Sequence, residues 1–180
     1  SNMSAYPTLG KFSDGRILVL LQEYTQDSVL VFTNLNTVYL RGVILDSEGT
    51  VIFPKFNITD EMIGGASILE LDNPWFPVVW IALNNTIYGK TIDSSARMTE
   101  VKLLSSTNAT AFTDNFISLK ESREAVLSWE SPIDENASAH TIYSLKIDAD
   151  TLDILQPEIR LNSVLLQTNY FSKVMELPNG

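Results

Sequence analysis

The chain carries 22 acidic side chains, a single histidine (His140) and no cysteine. Nucleophile–base catalysis of the usual kind would have to run through that one imidazole. His140 stands between a polar loop and an apolar run, with no Gly-x-Ser-x-Gly turn or equivalent beside it. A histidine on the surface or at a strand edge is the simpler account. A transition-metal site would need mostly carboxylates, which makes zinc a poor fit. Carboxylate pairs are plentiful, and glycoside hydrolysis needs two of them roughly 5 to 9 Å apart. No cationic partner set stands out beside them, because Arg16, Arg41, Arg97, Arg123 and Arg160 fall at different places in the repeating pattern of the chain.

Aromatic rings are the other candidate chemistry. Trp75, Phe76 and Trp80 form the densest aromatic group. Trp80 and Trp129 end or lie within the most apolar runs and take similar places in their segments, so both are expected in the core, where large rings fill the gap between sheets. Trp75 follows Pro74 and is expected on a turn. With Asp72 and Phe76 it makes one candidate ligand contact, and the polar loop from Glu130 to His140 makes a second. Both are expected among the turns at one end of the fold.

The elements that must hold these residues repeat. Leu40 to Asp46, Ile87 to Asp93 and Ile142 to Asp148 are strand-like runs that each end on an aspartate and open into a turn, with the aspartates 47 and then 55 residues apart. Such a period belongs to propeller blades or arrays. Around these runs lie further short stretches rich in β-branched, aliphatic and aromatic residues, bounded by Gly, Asp, Asn and Ser, as strands are. They are Ile17 to Leu21, Val29 to Phe32, Val51 to Phe53, Ser67 to Leu71, Val78 to Ala82, Glu100 to Leu104, Asn115 to Leu119, Ala125 to Trp129 and Glu158 to Leu161. About four strands fall in each of three units, near residues 6–60, 63–106 and 108–164. The segment 165–180 resembles the opening of the first unit and is expected to begin a further one. Thr59 to Ile68 has a plausible helix cap, but Gly64-Gly65 would cost about 1 kcal/mol each inside a helix, so it is expected to connect two units. Residues 1–3 have the look of a tag remnant.

Bulk composition narrows the partners. A hydrophobic content of 44% rules out general disorder, and 180 residues suffice for a sizeable core. A net charge of −10 repels nucleic acid and anionic membranes. No apolar run approaches the roughly 18 residues of a membrane span, so no membrane insertion is expected. Four Asn-x-Ser/Thr acceptor patterns start at Asn57, Asn84, Asn108 and Asn136, and Asn/Ser/Thr-rich turns produce such matches by chance.

Aligned on the repeat, Phe12-Ser13-Asp14-Gly15 with Ile17 to Leu21, and Ala125 to Trp129 with Ile142 to Asp148, resemble the repeated segments of large bacterial and protist surface proteins, similar to FG-GAP/integrin-like β-propeller ectodomains. The resemblance covers nearly the whole chain through short motifs. It implies an extracellular or cell-surface module. In integrin-type blades, calcium loops use spaced acids followed by a glycine, since the cation needs about six to eight oxygens and a sharp turn. Here Asp148, Asp150 and Asp153 supply acids without the glycine, so the choice is between a calcium site and a turn capped by aspartate side chains. Sialidase propellers carry a Ser-x-Asp-x-Gly-x-Thr-Trp box, and Ser47-Glu48-Gly49-Thr50 only brushes it, with its acid misplaced.

The expected fold is therefore all-β, made of three propeller-blade-like antiparallel units, with a two-sheet β-sandwich as the alternative. The expected function is a non-catalytic binding or adhesion module for a protein or glycan ligand. A carbohydrate-binding or glycosidase-like propeller is the alternative, and a structural spacer the third possibility. Three blades cannot close a ring alone, so a homo-dimer that completes one is among the expected partners.

Overall fold

The computed structural model describes residues 3–24, 38–61, 63–68, 74–109, 111–112, 117–118, 123–132, 139–161 and 166–167. The protein is all-β, and among these residues there is no helix. The first sheet is a four-stranded meander of β1 (Met3–Lys11), β2 (Ile17–Tyr24), β3 (Val38–Leu45) and β4 (Val51–Thr59). The second repeats it with β5 (Ile63–Ile68), β6 (Trp75–Ala82), β7 (Ile87–Asp93) and β8 (Lys102–Ser105). The third is built on β11 (Glu124–Pro132), β12 (Ala139–Asp148) and β13 (Ile154–Arg160), with the short strands β9 (Ala111–Phe112) and β10 (Ile117–Ser118) on β11 and β14 (Leu166–Gln167) on β12. Every pairing is antiparallel.

The three sheets stack face to face, and the middle one is buried on both sides. Phe76, Val78, Trp80 and Ile92 of the second sheet pack with Phe12, Leu18, Leu20, Leu40 and Ile44 of the first. Val79, Ile81, Ile87 and Leu104 of the same second sheet pack with Ala125, Leu127, Trp129, Leu145 and Ile147 of the third. Successive side chains of a strand point to opposite faces, so a sheet covered on both sides must be apolar at every position. β6 meets that demand: Phe76 through Ala82 is buried without a break. The two central tryptophans are fully buried, each stacked on its cross-strand tyrosine, Trp80 on Tyr88 at 6.3 Å and Trp129 on Tyr143 at 5.9 Å between ring centroids. Lys90 reaches across from β7 and donates to the Ile58 carbonyl of the first sheet at 2.8 Å. Burial lowers its pKa, against the opposing pull of Glu100 and Asp60.

The repeated runs hold one frame. Counting back from Asp46, Asp93 and Asp148, the residues five, three and one before the aspartate face the preceding side of the stack: Arg41, Val43 and Leu45, then Tyr88, Lys90 and Ile92, then Tyr143, Leu145 and Ile147. The residue four before is small each time, Gly42, Gly89 and Ser144. A β-carbon on Gly42 would lie 2.4 Å from Phe56, and one on Gly89 would press on Leu104, Leu152 and Val79.

Several boundaries differ from the sequence reading. Thr59 to Ile68 is not wholly a connection: β5 starts at Ile63, and its glycine pair falls at a bulge where the pairing with β6 shifts register. Trp75 opens β6 instead of sitting on the turn before it. β11 runs on through Pro132, so the loop expected from Glu130 starts later, and β13 begins at Ile154, earlier than Glu158. Leu166 and Gln167 pair with His140 and Ala139 of the third sheet, so this part of the expected further unit belongs to the third sheet. The expected strand at Val29 to Phe32 lies outside the described residues.

Gly42→Ala is expected to cost about 1 to 3 kcal/mol, because the added methyl must displace the Phe56 ring. Gly65→Ala, where a β-carbon meets nothing within 4 Å, is expected to change stability by under about 1 kcal/mol. Urea titrations of the two variants against the parent chain check both.

Candidate functional site

One turn design recurs at the hairpins. Ser13–Gly15, Ser47–Gly49, Leu83–Asn85 and Ser94–Ala96 are three-residue loops whose last residue is left-handed: Gly15 at φ 90°, Gly49 at 87°, Asn85 at 61° and Ala96 at 60°. The loop after Asp148 is one residue longer and ends on Leu152, also at 60°. A left-handed residue in that place lets a short loop reverse the chain with the twist of the strands. Glycine and asparagine are the readable signals for it. Ala96 and Leu152 carry none, which is why the sequence showed no turn residue there.

The aspartates that end the repeated runs seal these loops. Asp46 Oδ1 accepts the Glu48 and Thr50 N–H groups at 2.9 and 2.8 Å. Asp93 Oδ1 accepts those of Ser95 and Arg97 at the same distances. Asp148 Oδ1 accepts those of Asp150 and Thr151, again at 2.9 and 2.8 Å. Three carboxylates thus do the same backbone task, the local side-chain bonding that favours aspartate in turns.

The three acids expected to hold calcium have other partners here. Asp148 caps the turn, Asp150 pairs with Arg123 at 2.8 Å, and Asp153 binds Lys102 and the Thr151 hydroxyl. Asp148 and Asp153 share the Thr151 hydroxyl while Asp150 turns to Arg123, and no group of three metal-ligating side chains comes together among the described residues. The residues do not fit a calcium ion, whose oxygens must converge.

The two expected contact regions also separate. Trp75 pairs across the sheet with Asp93, at the end where the aspartate turns lie. His140 pairs with Pro132 and Leu166 at the opposite end of β12, about eight residues and roughly 26 Å of strand from Asp148. Trp75 and His140 therefore do not share one end, as the sequence reading had them. Phe76 is fully buried with its ring 4.4 Å from that of Phe12, so it belongs to the core between the first two sheets and cannot meet a ligand. Asp72 lies outside the described residues.

What remains at the aspartate-turn end is a compact polar rim around Trp75. The indole is half-buried, with the Arg97 guanidinium 5.9 Å from its ring centroid. Arg97 Nε is held by Asp93 Oδ2 at 2.6 Å while most of the arginine stays exposed. Next to it, Arg16 of the first sheet donates to the Ser94 carbonyl at 2.8 Å and accompanies Asp14. The Ser94 hydroxyl, more than Arg16, holds the Asp14 carboxyl below its usual 3.8. Arg16 and Arg97, assigned to unrelated repeat positions from the sequence, are brought together by the stacking of the sheets. Nothing in the local sequence signals that meeting.

No protein-family model matches the chain, and no curated protein matches it.

The carboxyls of Asp14, Asp46 and Asp153 all sit below 3.8, held chiefly by the Ser94 hydroxyl, the Thr50 N–H and the Lys102 ammonium respectively. A lowered folded-state pKa adds stability that is present above 3.8 and is lost as pH falls through the lower folded values. The urea midpoint is expected to hold at about pH 5 and to drop steadily towards pH 2. Asp46→Asn, which keeps a turn acceptor without the charge, is expected to flatten part of that slope; an unchanged slope would remove Asp46 from the account.

Proposed function

We propose that the chain is a non-catalytic binding or adhesion module of a secreted or cell-surface protein, and that it meets its ligand at the aspartate-turn end around Trp75. Three stacked meanders in a common frame support reading it as consecutive blades of a propeller of the FG-GAP/integrin-like kind, with the turns as its contact surface. The observation that carries the reading is the Trp75–Arg97–Asp93 group. It is a half-buried indole at the rim with the largely exposed Arg97 guanidinium over its ring, and it lies outside the two buried clusters that hold Trp80 and Trp129. Aromatic and arginine side chains are the residue types that concentrate binding energy in interfaces.

The same group favours a glycan as the ligand over a featureless protein contact. A pyranose ring presents C–H groups to an indole and hydroxyls to the exposed Arg97 guanidinium, which the buried Asp93 holds in place. A glycosidase-like role would need two carboxylates free to act at about 5 to 9 Å, and at this rim Asp93 and Asp14 are bonded to turn N–H groups and arginines.

A glycan array with a parallel glycosidase assay tests both readings. Binding without turnover is expected, and Trp75→Ala is expected to weaken it at least about tenfold, the loss of roughly 1.4 kcal/mol. Turnover would sink the non-enzymatic reading. Binding that ignores Trp75→Ala would place the contact elsewhere, and the absence of any glycan or protein ligand would favour a spacer.

A further inference from the structure

We infer that the outer face of the first sheet is a self-association surface, and that its occupant is the same face of a second copy of this chain. The repeated frame defines what such a face is for. In the second and third sheets the positions one, three and five before the aspartate, with the tryptophan on the neighbouring strand, press on the preceding sheet; Trp80, Trp129, Ile92, Leu145 and Ile147 are all at 2% exposure or less. In the first sheet the same positions hold Leu45, Val43 and Arg41, with Leu21 opposite Arg41 where the others have tryptophan opposite tyrosine. Here they are half-exposed, as are Ile17 and Val19. Leu9, Val19 and Val43 form one row across β1, β2 and β3, and Ile17, Leu45 and Val51 form the next across β2, β3 and β4; Leu9 and Val51 are 56% and 55% exposed.

The choice of a second copy follows from which faces are available. Both faces of the second sheet are taken by its neighbours. The far side of the third sheet carries Ser128, Glu130 and Ser144, all buried at 7% exposure or less. That side also carries Val126, Ile142 and Ile159, but it mixes them with these polar groups and Lys146, so among the described residues the first-sheet face is the broader aliphatic face that a second copy can offer. Identical faces meet about a two-fold axis. With that axis along the strands, β2 of one copy lies over β3 of the other, the aligned packing that twisted sheets prefer. Val19 then covers the partner's Val43 and Ile17 covers the partner's Leu45. The charges also fit: Arg41 meets the partner's Leu21, Glu23 meets the partner's Tyr39, Lys11 meets the partner's Val51, and no like charges oppose. Glu23 is already neutralised within its own sheet by Lys55 at 2.5 Å and Arg41 at 3.6 Å.

The size of the face sets the strength. Four strands about 4.8 Å apart and roughly seven residues long span about 19 by 23 Å, so two copies cover on the order of 900 Å² of face. That falls just below the roughly 1,000 Å² that a stable specific interface clears, so the pair is a weak one that dissociates on dilution.

Sedimentation equilibrium over a concentration series tests this. The parent chain of 20.1 kDa is expected to shift reversibly to twice that mass. Val43→Lys is expected to raise the dissociation constant at least about tenfold, while Leu103→Lys, at an exposed site on β8, is expected to leave it unchanged. If the lysine at position 43 prevents folding, judged by circular dichroism, Val19→Thr keeps a β-branched side chain of the same shape and is expected to weaken association in the same direction. A chain that stays monomeric at every concentration overturns the inference, as does a dimer indifferent to Val43→Lys and Val19→Thr. A larger assembly, built head to tail as a ring would be, overturns the two-fold arrangement.

Discussion

Burial of the middle sheet on both faces is the constraint on which the rest of the structure depends. A half-buried strand can spare every second position for polar residues, but β6 cannot, and β7 beside it spares room only for Lys90 and Thr91 before its closing aspartate. Their alternate side chains feed two separate cores, Phe76, Val78 and Trp80 on one side, Val79, Ile81 and Ile87 on the other. Among the described residues, the two outer sheets are held through these contacts and polar stitches such as Lys90 to the Ile58 carbonyl, Arg16 to the Ser94 carbonyl and the Ser105 hydroxyl to Glu158. Registration between layers then follows from where bulk and space fall, and the small residue four before each aspartate leaves room for its neighbours' side chains.

That arrangement moves chemistry to the ends of the stack. Faces are consumed by packing, so polar groups collect in the turns, where backbone donors need partners. The aspartates of the repeated runs satisfy those donors, so the acid-rich sequence near residue 148 reads like a cation loop and yet, among the described residues, gathers no group of three ligating side chains. Edges are managed in a related way. The outer strands β4 and β13 carry Pro54 and Pro157 and pair irregularly with their neighbours, devices that discourage edge-to-edge pairing while leaving aliphatic side chains such as Ile154 and Leu155 exposed.

The binding reading and the self-association face draw on different parts of the same design. Trp75 and Arg97 lie at the aspartate-turn end, whereas Val19 and Val43 lie in the middle of an outer face. Occupation of one therefore leaves the other open, so a paired molecule would present two rims. Bivalent presentation strengthens attachment to a repetitive ligand surface without any new contact, provided the geometry lets both rims engage.

The sequence by itself determined the all-β character, the three-unit frame and the packing role of Trp80 and Trp129, because strand periodicity, turn residues and apolar runs are local properties. The aspartate caps were equally legible, since each acts within its own few residues. Only the tertiary structure decided which aromatic is accessible. Trp75 and Phe76 are neighbours in sequence, but alternation along β6 sends Phe76 against Phe12 and leaves Trp75 at the rim. It alone decided that Arg16 and Arg97 share an end while Trp75 and His140 do not, because those relations depend on how sheets stack and in which direction each strand runs. The left-handed turns at Ala96 and Leu152 were hidden for a similar reason: hairpin pairing imposes a backbone state that neither side chain advertises.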